Sequence, residues 1–390
     1  MWRKHRKIYT VKNSTKKGKA NDIIEVEVKI MKFGDFFKKP ELKDPIKEAQ
    51  NYKRAGKFDK ALEAYRNILN NDPSNLKAWY DKASIHLTLE QYGPALEAYE
   101  KVLDTEPNNK KAWHEKGFVL VNLGRLKEAL EAYDKVLGSD PDNLKLLSEK
   151  AMILKQLKKD AEVVKIYEKL LENDPKNIKI WFDRGLILSE SGKESDALIA
   201  FDKVLELDPG HSGAMARKGI IIGLQRQYTQ SFALLDKALK KDPSNWFALY
   251  AKGMVWKLKG TDLKSLGRRY EAIKSLDNAL HAFEKATSLN PNNSRMWYEN
   301  GLVFKDLECG NEAIRAFNKS IDLDPLNTKT WYEKGVTLKG LGNEGEARKC
   351  FDKVLEIEPT HMLARHKLKK MQGNYLRNAD TQKKNSLKSV

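Results

Sequence analysis

The chain has no apolar run long enough to cross a bilayer as a helix, which takes about 20 residues. Its two cysteines, Cys309 and Cys350, are too few for a disulfide framework, and their spacing suits no metal. Such scarcity favours a reducing compartment, and a cytoplasmic protein is expected. The basic start MWRKHRK is followed by no apolar core, so it does not read as a secretory signal. Lysine outnumbers arginine there, which argues against an organellar transit peptide. Catalytic signatures are missing as well. The seven histidines form no HExxH pair, G-x-S-x-G is absent, and no Gly-rich loop follows a strand. No catalytic residue, metal site or cofactor is expected, and the chain does not read as an enzyme.

Proline is scarce too, but its placement is informative. Of 12 prolines, nine form a ladder: Pro73, Pro107, Pro141, Pro175, Pro209, Pro243, Pro291, Pro325 and Pro359. The step is 34 residues throughout, except for 48 between Pro243 and Pro291. Other columns keep the same register. Trp331, Gly335, Leu338, Ala347, Phe351 and Pro359 are matched one period earlier by Trp297, Gly301, Phe304, Ala313, Phe317 and Pro325. An acid, or once an asparagine, precedes each ladder proline, and Asn75, Asn109, Asn143, Asn177, Asn245, Asn293 and Asn327 follow as helix caps. The column glycines, replaced by Ala83 and Ala151 in two repeats, read as places where a neighbouring helix comes close. Ala61, Ala95 and their equivalents are the small partners, with Tyr65, Tyr99, Tyr133, Tyr167, Phe201, Phe283, Phe317 and Phe351 one turn later as the large ones.

This pattern resembles the tetratricopeptide repeat, a helix–turn–helix unit of that period. The resemblance implies an all-α fold, an α-solenoid of tandem repeats forming a right-handed superhelix. Nine repeats are expected over 42–361, with a 14-residue insertion in repeat seven at about 261–274. A capping helix is expected at 362–373 and a basic disordered tail at 374–390. Residues 1–41 read as a basic, disordered segment, with a strand-like alternation at Ile23–Met31 and Met31 as a candidate start. In repeat seven the second helix should begin near Arg268 and run long. The remaining inserted residues should extend the first helix or the turn, giving a projecting finger. One departure concerns Lys82, Lys116, Lys150, Arg184, Lys218, Lys252 and Lys334, which stand where the family has Leu. Their stems are expected on apolar surface with the charge in water.

The net charge of +18 invites a nucleic-acid reading, yet residues 1–43 carry +8 and 361–390 carry +7. The repeats themselves are close to neutral. The alternative function is therefore a nucleic-acid-associated protein that uses its basic ends for RNA or DNA, weakly and without sequence preference. The main expectation is a protein–protein interaction scaffold that holds peptide segments of a partner.

In the family the first helices line a concave groove. By that resemblance Tyr80, His114, Phe182, Tyr250, Tyr298 and Tyr332 should point into it, with Ser148 and Ala216 in the same column. Three residues earlier stand Lys77, Lys111, Lys145, Lys179, Arg295 and Lys329, a stripe suited to a partner with acidic residues. Two bland alternatives stand beside these. The aromatics pack between helices, or the acids four residues after each base (Asp81, Glu115, Glu149, Asp183, Glu299 and Glu333) neutralise the stripe. Some relatives grip the C-terminal carboxylate of chaperone tails through Lys and Asn. Here Ser84, Phe118, Met152, Leu186, Ile220, Met254, Leu302 and Val336 occupy the Asn line, so that clamp is not expected.

Overall fold

Proline cannot continue a helix, and its ring disfavours helical geometry in the residue before it. Every second helix of the ladder therefore stops at the acid, and the next begins after the asparagine. The computed structural model describes residues 44–371, and among these there is no strand. The expectations for 1–41, for Met31 as a start, for Gly373 as a helix end and for the tail 374–390 lie outside the described residues.

The chain divides into two compact units at Asn143 and Leu144. The first contains α1 (Pro45–Arg54), α2 (Phe58–Asn71), α3 (Leu76–Thr88), α4 (Tyr92–Thr105), α5 (Lys110–Asn122) and α6 (Leu126–Leu137). In the second are α7 (Leu144–Gln156), α8 (Asp160–Asn173), α9 (Ile178–Glu190), α10 (Glu194–Leu207), α11 (Ser212–Leu224) and α12 (Tyr228–Lys241). It continues with α13 (Trp246–Ser265), α14 (Arg269–Leu289), α15 (Ser294–Asp306), α16 (Gly310–Leu323), α17 (Thr328–Gly340) and α18 (Glu344–Ile357). A final helix spans 362–371. Within each unit every helix packs on the next in sequence.

The link between repeats closes on itself. The Asn75 side chain accepts from the Ala78 amide at 3.0 Å and donates back to Asp72, the acid before the proline, at 3.3 Å. The indole N–H of Trp79 donates to the Pro73 carbonyl at 2.8 Å. The same indole bond recurs at Trp113, Trp181, Trp297 and Trp331. Where the final helix has Arg365 in the tryptophan position, the guanidinium makes that bond to Pro359 at 2.6 Å. His211 and His361 replace asparagine as caps, accepting through Nδ1.

Inside a repeat, the column glycine faces the ring of the second helix. A Cβ at Gly301 would stand 2.4 Å from Phe317, and one at Gly185 would stand 2.6 Å from Phe201. Of the small Ala column and the large aromatic column expected on the second helix, it is the large residue that lies against the glycine. In these repeats the ring lies so close to the first helix that an added Cβ would overlap it, while Ala49, Ala83 and Ala151 hold the same position in three others. The cationic column departs from expectation too. Lys82, Lys116, Arg184 and Lys334 lie over the tryptophan rings at 4.9 to 5.6 Å. Lys116 also pairs with Glu100 at 2.8 Å, and Arg184 with Glu168 at 2.9 Å. Their charges are partnered, and the ion pairs tie a first helix to the second helix of the repeat before it.

In repeat seven α13 and α14 run 20 and 21 residues, where α15 and α16 run 13 and 14. The inserted residues are shared between the two helices, about two turns each. This extension is braced on both sides. Asp262 accepts from Arg226 at 2.7 Å and from Tyr228 at 2.5 Å, and Lys264 donates to the Asp306 carbonyl at 3.0 Å.

Each helix pair is joined by a three-residue turn whose middle residue has positive φ. The third residue closes a helix C-terminal cap, as Lys57 N–H does to the Tyr52 carbonyl at 2.9 Å. Glycine holds the middle position in five of these turns, but Glu90, Lys158, Arg226 and Glu308 hold it in the others. A side chain there pushes the Cβ toward the backbone. Lys158→Gly and Glu308→Gly are therefore each expected to stabilise the protein by about 0.5–1 kcal/mol. Thermal circular dichroism should show a higher midpoint for both, and a lower one for Gly124→Ala.

Candidate functional site

The face that the first helices present is built from three columns of side chains. The bases Lys77, Lys111, Lys145, Lys179, Arg295 and Lys329 are all exposed. Tyr80, His114, Phe182, Tyr298 and Tyr332 are half-buried. Each of these rings rests on the second-helix ring of its own repeat. Tyr80 meets Tyr99 at 5.5 Å, His114 meets Tyr133 at 5.9 Å, and Phe182 meets Phe201 at 5.9 Å. Tyr298 meets Phe317 at 6.2 Å and Tyr332 meets Phe351 at 5.7 Å. Residues of the following repeat meet three of them as well: His211 at 4.8 Å from Phe182, His361 at 5.5 Å from Tyr332, and Lys111 over Tyr80. Each ring is thus packed from behind and only part of it is exposed.

Tyr250 departs from this arrangement. It is only 5% exposed and cannot offer contact area. The cause lies in small neighbours. With Ala216 and Gly223 on α11, that helix packs directly against α13, and a Cβ at Gly223 would meet Val255 at 2.4 Å.

The acid column behaves differently from the bland alternative. Lys145 stands 4.0 Å from Glu149 on the same helix. Elsewhere the acid reaches back to a lysine of the preceding repeat. Lys53 meets Asp81 at 2.8 Å, Lys155 meets Asp183 at 3.9 Å, Lys257 meets Glu299 at 2.5 Å and Lys305 meets Glu333 at 2.5 Å. These bridges occupy the acids and leave the stripe bases to other contacts. Lys111 lies 4.5 Å above Tyr80 of the repeat before, and Arg295 lies 5.8 Å above Tyr250.

Burial would raise the Asp81 carboxyl, but hydrogen bonds from Gln50, Lys53 and Tyr65 outweigh it and hold the group below the usual carboxylate range. Burial, with Glu333 and Glu299 nearby, pushes Tyr298 up to about 12. It therefore stays a neutral hydrogen-bond donor at physiological pH. Among the described residues no group of three His, Cys, Asp or Glu could hold a metal. An open cleft of about 590 Å³ in the first unit is walled by the lysine–tryptophan contacts of Trp79, Lys82, Trp113 and Lys116.

Residues 46–104, together with 178–211, 265–293 and 328–361, match the tetratricopeptide repeat, and 84–184 match the N-terminal TPR repeats region of psidin. The chain belongs to the tetratricopeptide repeat family. A tetratricopeptide repeat protein from Parabacteroides merdae is 19% identical, with 67% of this chain and 97% of that one covered and a TM-score of 0.53. The human IFIT1 dimer with m7Gppp-AAAA is 17% identical over 85% of this chain and 80% of that one, with a TM-score of 0.52. YrrB, a TPR protein with an unusual peptide-binding site, is 26% identical over 52% of this chain and 97% of that one, with a TM-score of 0.38. The first two likenesses establish a shared fold. No curated protein matches the chain in sequence.

Tetratricopeptide repeats form an interaction scaffold, a fold typically without catalysis of its own. No helix among the described residues is long and apolar enough to cross a membrane. The lysines that bridge repeats went unread in the sequence. Their signal was a column of Lys53, Lys155, Lys257 and Lys305 filled in only some repeats, and so hidden among many surface lysines.

Of these bridges, Lys257–Glu299 is the most buried, with side chains 18% and 7% exposed. Removing one partner strands the other charge in a poorly solvated place. Lys257→Met is expected to cost about 3 kcal/mol, read as a lower unfolding midpoint. Adding Glu299→Gln should recover most of it.

Proposed function

We propose that this protein is a non-enzymatic scaffold that binds an extended or helical segment of a partner protein along its first-helix face. The observation that carries this reading is the repeated pairing of a half-buried ring with an exposed base, set at a fixed spacing by the repeat. Rings fixed from behind lose little side-chain entropy on binding, so they suit a surface that grips without a deep pocket. In the second unit Phe182, Tyr298 and Tyr332 supply contact area, while Lys179, Arg295 and Lys329 steer acidic residues of the partner. Tyr80 and His114, with Lys77 and Lys111, offer the same chemistry in the first unit. Rim charges act more on association rate and salt dependence than on affinity. A cytoplasmic setting is part of this reading, supported by a chain with only two cysteines.

The partner is found by capture with the full chain and mass spectrometry, and the face is then tested by calorimetry. Tyr298→Ala with Tyr332→Ala is expected to weaken binding about tenfold or more, with helicity nearly unchanged. Native affinity in that variant would move the site off the first-helix face. A fall in thermal stability at unchanged affinity would make the tyrosines packing residues only.

A further inference from the structure

The charge pattern of the first-helix face is broken at repeats six and seven. The columns that carry Lys179 and Asp183 on α9 carry Gly213 and Arg217 on α11, then Phe247 and Ala251 on α13. An arginine thus stands where the bridged acid belongs. The bridging lysine is gone as well, because the position of Lys155 and Lys257 is filled by Ser189 on α9 and Gly223 on α11. With the acid and the bridging lysine both lost, the bridge is replaced by a lone arginine.

Contacts at this point are specific. The Arg217 guanidinium lies 3.7 Å above the Phe247 ring. Phe247 stands 6.0 Å from Tyr250, and Arg295 lies 5.8 Å above Tyr250. Two adjoining rings therefore carry two guanidiniums, and neither guanidinium makes an ion pair among the described residues. The acids nearby are otherwise placed. Glu299 is held by Lys257 at 2.5 Å, and Glu190 at the end of α9 is exposed. Burial lowers the Arg217 guanidinium from its ordinary value; Glu190 opposes this, and the charge of Arg295 adds to it. Finally, the Tyr250 hydroxyl is buried without a hydrogen-bond partner of good geometry. Burial first, then Glu299, pushes it up to about 12, so it remains a donor.

We propose that Arg217 and Arg295, on the platform of Phe247 and Tyr250, form a subsite for the carboxylate of an acidic side chain in the bound peptide. This rests on the peptide-binding reading and names the chemistry of one position of the ligand. A stacked guanidinium is pre-organised, and its planar fork matches a carboxylate. With Glu190 close by, the two guanidiniums suit one singly charged group better than a phosphate.

The test is an array of degenerate twelve-residue peptides, each fixed at its centre as Glu, Gln, Lys or phosphoserine, probed with the full chain at about physiological salt. The wild type is expected to retain the Glu set about tenfold better than the Gln set. Arg217→Gln with Arg295→Gln should lose that ratio and still bind the Gln set. Arg269→Gln with Lys274→Gln, which removes two charges from the repeat-seven extension, should keep it. Arg295 is exposed, so Arg295→Gln alone disturbs no packing and should reduce the ratio about threefold. Equal retention of Glu and Gln, or a ratio that survives in the Arg217 and Arg295 variant, overturns the subsite and leaves peptide binding standing. Stronger retention of phosphoserine than Glu overturns the carboxylate in favour of a phosphate. Capture of no peptide overturns both readings.

Discussion

A ring held in a glycine notch is the contact on which most of the repeats depend. Phe317 against Gly301 and Phe351 against Gly335 set how closely the first and second helices approach. Glycine inside a helix costs about 1 kcal/mol relative to alanine, so its recurrence needs a return. That return is a fully buried aromatic side chain opposite the glycine: Phe201, Phe283, Phe317 and Phe351 are all below 2% exposed. Because the notch fixes the ring, the residue after the tryptophan has a firm surface to rest on. The packing and the candidate binding face are therefore two sides of one contact.

The next level is the link between repeats. The acid, proline, asparagine and tryptophan columns look like four separate preferences in the sequence. In the structure they are one closed set of bonds, in which the asparagine reaches both the amide ahead and the acid behind. The substitutions support this view. Arg365 can stand in for a tryptophan because what the proline carbonyl needs is an N–H donor at that distance. His211 can stand in for an asparagine because its Nδ1 accepts in the same place.

Much of the fold was legible because a period of 34 residues is carried by many columns at once. Helix ends followed from proline and asparagine chemistry, which acts over a few residues. What was less legible depended on pairs far apart in sequence. Both an alanine and an aromatic column of the second helix were legible as partners of the glycine, but which of them meets it, as Phe317 meets Gly301 from 16 residues away, is set by packing. The lysine bridges span 28 residues, or 42 across the repeat-seven insertion, and occur in only some repeats, so no column announced them. The burial of Tyr250 depended on two small residues of another helix, Ala216 and Gly223. A reading that gave every member of a column the same exposure had no means of finding it.

That failure bears on how the surface divides into parts. A strictly regular repeat would give every position of a bound segment the same chemistry: a ring, an exposed base and a neutralised acid. Such a face would bind without telling one segment from another of like composition. Selectivity requires some repeats to break the pattern, and repeats six and seven do so in three columns together. The base column becomes Gly213 and Phe247, the ring column becomes Ala216 and a buried Tyr250, and the acid column becomes Arg217 and Ala251. Each change alone reads as drift. Together they bring α11 against α13 and place a half-buried guanidinium flat on an aromatic ring, a costly arrangement for a charge with no partner of its own. The departure from the repeat thus carries the information that the repeat cannot.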